Sequence, residues 1–64
     1  MKMEKTLYFE LGFSMANTVF DCMPEQEVKR ILLEVAERVE QGVTRSLIRD
    51  INGNKIGGWE ITAD

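Results

Sequence analysis

Few residues of this chain could do chemistry, and they are scattered. Cys22 stands just ahead of Pro24, where the start of a helix would favour a thiolate. With no histidine anywhere in the sequence it has no partner base, so an inert small hydrophobe is expected instead of a nucleophile. Asp50, Asn52 and Asn54 space oxygen side chains as at the start of an EF-hand loop. That pattern then fails, because glycine stands one residue after Asn52, too early, and Ile61 occupies the place of the closing glutamate. A hairpin turn, with Asp50 and Asn52 bonding local N–H groups, accounts for the same residues, so neither a metal nor a cofactor is expected. Arg45 and Arg49 flank Leu47 on one face of a strand, and Lys55 follows the turn. Such a cluster suits a phosphorylated small molecule, with Gly57-Gly58 allowing close backbone approach, but solubility and protection of a sheet edge explain it with less assumption. Neither GxxxxGK[ST] nor GxGxxG occurs.

The elements that must position these residues follow from periodicity. Leu7, Phe9, Leu11 and Phe13 alternate with Thr6, Tyr8, Glu10 and Gly12, which predicts a strand over 6–13 with one buried face. Residues 14–23 lose the alternation and read as a loop, with Thr18-Val19-Phe20 able to pair briefly as an extension. Pro24, with Glu25 and Glu27 beside it, opens a helix predicted to run to Gln41, and Gly42 closes it. Val28, Ile31, Leu32, Val35, Ala36 and Val39 form its apolar stripe, and Glu25–Lys29 and Glu34–Arg38 are spaced as helical ion pairs. Leu33 lies about 120° from the centre of that stripe, facing solvent or a partner. Asn52-Gly53 between residues 44–50 and 56–62 predicts a hairpin, with a bulge at Gly57-Gly58 to restore the phase between Ile56 and Trp59.

The order is therefore β-α-β-β: a single α+β domain over 1–64, a three-stranded sheet with one helix on one face. Ordering so short a chain costs on the order of 100 kcal/mol, which the apolar burial available to it only about cancels. One cysteine permits no internal disulfide, so a homodimer is expected to complete the fold, through the uncovered sheet face or a free strand edge. Trp59 reads as core and as an interface candidate, and Tyr8, opposite the apolar face of the first strand, as an interface candidate.

Charge narrows the function. Eight basic and eleven acidic residues give −3, distributed as −1 over 1–23, −2 over 24–42 and 0 over 43–64. A nucleic-acid-binding regulator is disfavoured, since the only helix is acidic. Glu25, Glu27, Glu34, Glu37 and Glu40 read as a solvated helix face, or as an acidic surface for a basic protein. No run reaches the ~18 apolar residues of a membrane span, and Met1-Lys2-Met3-Glu4-Lys5 leads into the alternating strand rather than a leader core, so the cytoplasm is the expected compartment.

Asn17-Thr18-Val19-Phe20, Pro24-x-x-Glu27-Val28-x-Arg30-Ile31-Leu32 and Arg49-Asp50-Ile51-Asn52-Gly53-Asn54-Lys55-Ile56-Gly57 make the chain resemble a group of short uncharacterised proteins encoded by phages and prophages. The resemblance implies a small accessory protein that binds and blocks a host component, including bacterial defence systems, and it carries over no catalytic residues. Its recurrent polar positions, Asn17, Arg49, Asp50 and Asn54, are candidates for partner contact or for turn structure. The expected function is thus a non-enzymatic protein that binds itself and a host or phage protein. Tyr8, Leu33, Glu37, Arg45, Arg49, Asn54, Lys55 and Trp59 are its candidate contact residues. The alternative is a protein that sequesters a signalling nucleotide at a subunit interface.

Overall fold

A computed structural model describes residues 6–63. The expectation placed on Met1–Lys5 lies outside the described residues. Strand β1 (Leu7–Phe13) leads through a 3-10 turn (Thr18–Phe20) to helix α1 (Pro24–Glu40), and strands β2 (Arg45–Arg49) and β3 (Lys55–Ala63) follow. The sheet order is β1-β3-β2, antiparallel throughout, so β3 is central and β1 and β2 are parallel edge strands joined across it by the helix. This is the α+β architecture expected, with the strand order now fixed.

The helix begins on Pro24, whose missing N–H falls where a helix has no partner for it, and its stop is a Schellman motif. Gly42 adopts φ +89°. Its N–H donates to the Val39 carbonyl at 3.0 Å, and that of Val43 reaches the Arg38 carbonyl at 3.1 Å. Val43 then folds back onto the core.

The core is small: Phe20, Ile31, Val35, Ile48 and Trp59 are its buried apolar residues, with Leu11, Phe13, Val19, Val28, Ile56 and Ile61 packed around them. Three expectations are corrected here. Residues 18–20 do not extend a strand; Asn17 Oδ1 accepts from the Val19 N–H at 3.3 Å and caps a 3-10 turn that delivers Phe20 inward, stacked on Phe13. The helix stripe is only partly used, because the helix rolls toward β2. Ile31 and Val35 are buried, while Leu32, Ala36 and Val39 on the other flank stay exposed. For the same reason the near end of β1 is uncovered, and Leu7 and Phe9, expected inside, are 67% and 52% exposed.

The bulge exists, one residue earlier than expected. Ile48 pairs with Gly57 and Arg49 with Lys55, leaving Ile56 as the extra residue, which reaches the core. Gly57 itself has a steric task. A Cβ there would collide with the Gly12 carbonyl oxygen and stand 2.6 Å from the Phe13 Cα, whereas one on Gly58 would come to 3.2 Å from the Ser46 carbonyl oxygen and one on Gly12 would touch nothing. Gly57→Ala should therefore cost about 1–3 kcal/mol, enough to lower the melting temperature by roughly 4–8 °C or more, with Gly12→Ala close to neutral. Urea unfolding of the two variants checks this, and equal midpoints would refute it.

Candidate functional site

Two places gather polar side chains. The first joins three elements at the hairpin tip. Residues 50–53 form a turn in which the Gly53 N–H donates to the Asp50 carbonyl at 2.9 Å, and Gly53 takes φ +89°. Asn52 keeps negative φ, so the tip is a three-residue loop closed by a glycine bulge rather than a two-residue Asn-Gly turn. Asp50 is 4% exposed, and both its carboxylate oxygens are occupied. Oδ1 accepts the N–H groups of Asn52 and Asn54, each at 2.9 Å, and Oδ2 accepts the side-chain amides of Asn17 at 2.6 Å and Asn54 at 3.1 Å.

Glu27, one helical turn before Ile31, lies beside it. At 8% exposure it is buried, which corrects its assignment to a solvated face. The Arg30 guanidinium grips it with Nε to Oε1 at 3.0 Å and Nη2 to Oε2 at 2.9 Å, and the Ile51 N–H donates to Oε2 at 3.0 Å. Arg30 also donates to the Arg49 carbonyl at 3.1 Å and reaches Glu34 at 3.5 Å. Among the described residues these are the ion pairs of the helix, in place of Glu25–Lys29 and Glu34–Arg38.

The Arg30 hydrogen bonds hold the Glu27 carboxyl below its ordinary value of 4.5 against the opposing effect of burial, and Glu27 in turn raises Arg30. For Asp50 burial pushes upward, and the bonds from Asn54, Asn52 and Gly53 overcome it, leaving the carboxyl below 3.8. The calcium-like spacing serves the turn: Asn52 donates its backbone N–H to Asp50, and Asn54 donates both its backbone N–H and its side-chain amide. Among the described residues no buried side-chain polar atom is left unpaired.

The second place is the sheet face turned away from the helix. Alternation and register set Tyr8, Glu10 and Gly12 of β1, Gly58, Glu60 and Thr62 of β3, and Arg45, Leu47 and Arg49 of β2 on this side. Gly12 and Gly58 are directly paired, so no side chain fills the middle, and an open trough of about 710 Å³ results. Glu10, Glu60 and Arg45 form a row across its floor. Two carboxylates to one guanidinium suit a phosphate poorly.

The candidate residues do not converge. Tyr8 and Arg45 share the outer sheet face, and Leu33 and Glu37 lie on the far side of the helix, exposed. Arg49 Nη1 is bonded to the Gly53 carbonyl at 3.1 Å, Lys55 lies opposite Arg49, and Asn54 is engaged with Asp50. Trp59 is buried with its ring 5.8 Å from that of Phe9, so it belongs to the core rather than to a contact surface. Glu27 and Arg30 were missed as a fold-setting pair. Their signal was available, since Glu27 falls about 40° from Ile31 on the helical wheel, on the margin of the buried face. Cys22 is free and exposed. Among the described residues no group of acidic and cysteine side chains is arranged to hold a metal, and no helix is long and apolar enough to cross a membrane.

Comparison of the chain with protein-family models, curated proteins and solved structures yields no match.

The lowered carboxyls carry a sign. Both groups stabilise the fold fully above their ordinary values, and that contribution is lost as pH falls through their lowered values in the fold. Glu27→Gln and Asp50→Asn should be less stable than the parent at pH 7 and should lose less on acidification from about pH 5 to about pH 2. Urea midpoints across that range measure it; parallel profiles would remove these carboxylates as the cause of acid sensitivity.

Proposed function

We propose that this chain is a non-enzymatic binding protein, of the small phage accessory type that its sequence resembles, and that its partner is a host protein such as a component of a bacterial defence system. One observation supports the reading above the rest. Ten large apolar side chains of the described residues are exposed, against five buried in the core and seven packed partly buried around it. Scattered exposure is ordinary, but an exposed share nearly equal to the packed one is what surfaces awaiting partners look like. The polar groups, meanwhile, are spent on holding the fold, and the outer trough is too acidic to favour the sequestered nucleotide of the alternative reading.

Leu33 is the proposed anchor for the foreign partner. It is 60% exposed on the helix face farthest from the sheet, with Lys29 and Glu37 one turn to either side. An apolar centre in a charged rim is the pattern of an interface hot spot. Leu33→Asp should weaken partner binding at least about tenfold while leaving helicity and melting unchanged, because the side chain contributes nothing to the core. Capture experiments against phage-infected host lysate, followed by titration of the recovered protein, would show it. Recovery of the same partner at the same affinity with Leu33→Asp would refute the assignment.

A further inference from the structure

We infer that β1 is a self-pairing edge: two copies of this chain join antiparallel along their β1 strands about a two-fold axis at Phe9, making one six-stranded sheet with both helices on the same side. The inference rests on the reading of the chain as a binding protein and names one of its surfaces, distinct from Leu33.

The backbone gives the first argument. The Ser14 N–H donates to the Ile56 carbonyl at 2.9 Å, so Ser14 and, by alternation, Gly12, Glu10 and Tyr8 turn their backbone groups toward β3. Leu7, Phe9, Leu11 and Phe13 therefore point theirs away from the sheet, along an edge that no described element covers. The opposite edge is different. The Ile61 N–H donates to the Thr44 carbonyl at 2.8 Å, which makes Arg45, Leu47 and Arg49 the outward residues of β2. Two arginines on a five-residue strand guard that edge against a like-charged copy, whereas the outward residues of β1 are all apolar.

Charge then selects the register. Glu10 is the one charged residue of β1. An axis at Glu10 would set the two carboxylates face to face; an axis at Phe9 sets Glu10 against the partner's Tyr8 and pairs Leu7 with the partner's Leu11. An axis at Leu11 would leave Leu7, the most exposed apolar residue of the strand, outside the pairing.

The surface is of the size of a weak dimer. Glu34 and Arg38 border the β2 side of the helix with Ser46 and Ile48, so Leu32 and Val39, on the other flank, overhang the β1 side. In the six-stranded arrangement these flanks form the two walls of a furrow floored by the paired Phe9 rings. Leu7, Tyr8, Phe9, Leu32 and Val39 together expose on the order of 500 Å² per chain, so even complete covering gives about 1,000 Å² in all, and a weak, concentration-dependent dimer is expected. A strand or peptide of another protein would find the same backbone edge but not the matching Leu7–Leu11 and Tyr8–Glu10 pairs.

Light scattering over a dilution series of the full chain tests this, with expected masses of twice 7.4 kDa at high concentration and 7.4 kDa at low. Tyr8 lies on the outer face and supports no core contact, so Tyr8→Glu and Tyr8→Lys should both fold. The first opposes the partner's Glu10 and should raise the dimer Kd at least about tenfold above the second. Leu7→Pro, which removes an outward N–H and no β1–β3 bond, should give a folded monomer. A single-chain mass at every concentration overturns the inference, and so does a dimer whose Kd is the same for the two Tyr8 variants. Leu33→Asp should leave the dimer intact, so failure here and failure of the foreign-partner reading are separable.

Discussion

Two buried carboxylates hold the helix, the hairpin tip and the 3-10 segment of this chain in register. Glu27 on the helix and Asp50 at the hairpin tip both accept backbone N–H groups of the same turn, and through Arg30 and Asn17 they tie that turn to the helix and to the 3-10 segment. Burying ionised groups is expensive unless each oxygen is met by donors, and here each is. An apolar core of five buried side chains is nondirectional and could be filled by several packings of one helix on one sheet. The hydrogen bonds are directional, and they admit one. Specificity in this molecule comes from the polar knot, while the apolar contacts supply cohesion.

That division shapes the rest of the surface. Because the knot sits at the β2 end, it draws the helix toward β2, and the apolar stripe of the helix is left half outside. The exposed flank at Leu32 and Val39 and the bare end of β1 at Leu7 and Phe9 are thus one consequence of where Glu27 and Asp50 meet. On the reverse face the paired Gly12 and Gly58 leave the sheet backbone accessible. Gly57 is present for a different reason, the close approach of the Gly12 and Phe13 backbone of β1 beside the bulge.

Element types and most of their limits were legible in the sequence, because periods of two and of 3.6, a helix-opening proline and a helix-closing glycine are local signals. The rotation of the helix about its own axis was not. Its stripe of six apolar residues spans about 140°, wider than one sheet contact needs, and the choice between its Ile31–Val35 edge and its Leu32–Val39 edge is made by a contact from Glu27 to a turn far along the chain. Likewise the role of Asn17 depends on Asp50, and no local pattern reports that pairing. The 3-10 turn at 18–20 escaped for the opposite reason: three residues are too few to show a period, and Thr-Val-Phe is strand-like by propensity.

The strand order β1-β3-β2 carries an implication for how the chain comes together. Helix, β2 and β3 are neighbours in sequence and can assemble with short loops, but β1 must find β3 across nearly the whole polypeptide, from Phe13 to Gly57. Closing a loop of that length costs on the order of 3 kcal/mol in chain entropy before any ladder bond forms. Of the described strands, β1 is thus the one whose pairing carries the largest chain-entropy cost, and without it the central strand would show a raw edge. Undocking of β1 is therefore the opening that bares a pairing edge on the central strand, and with it a route to aggregation.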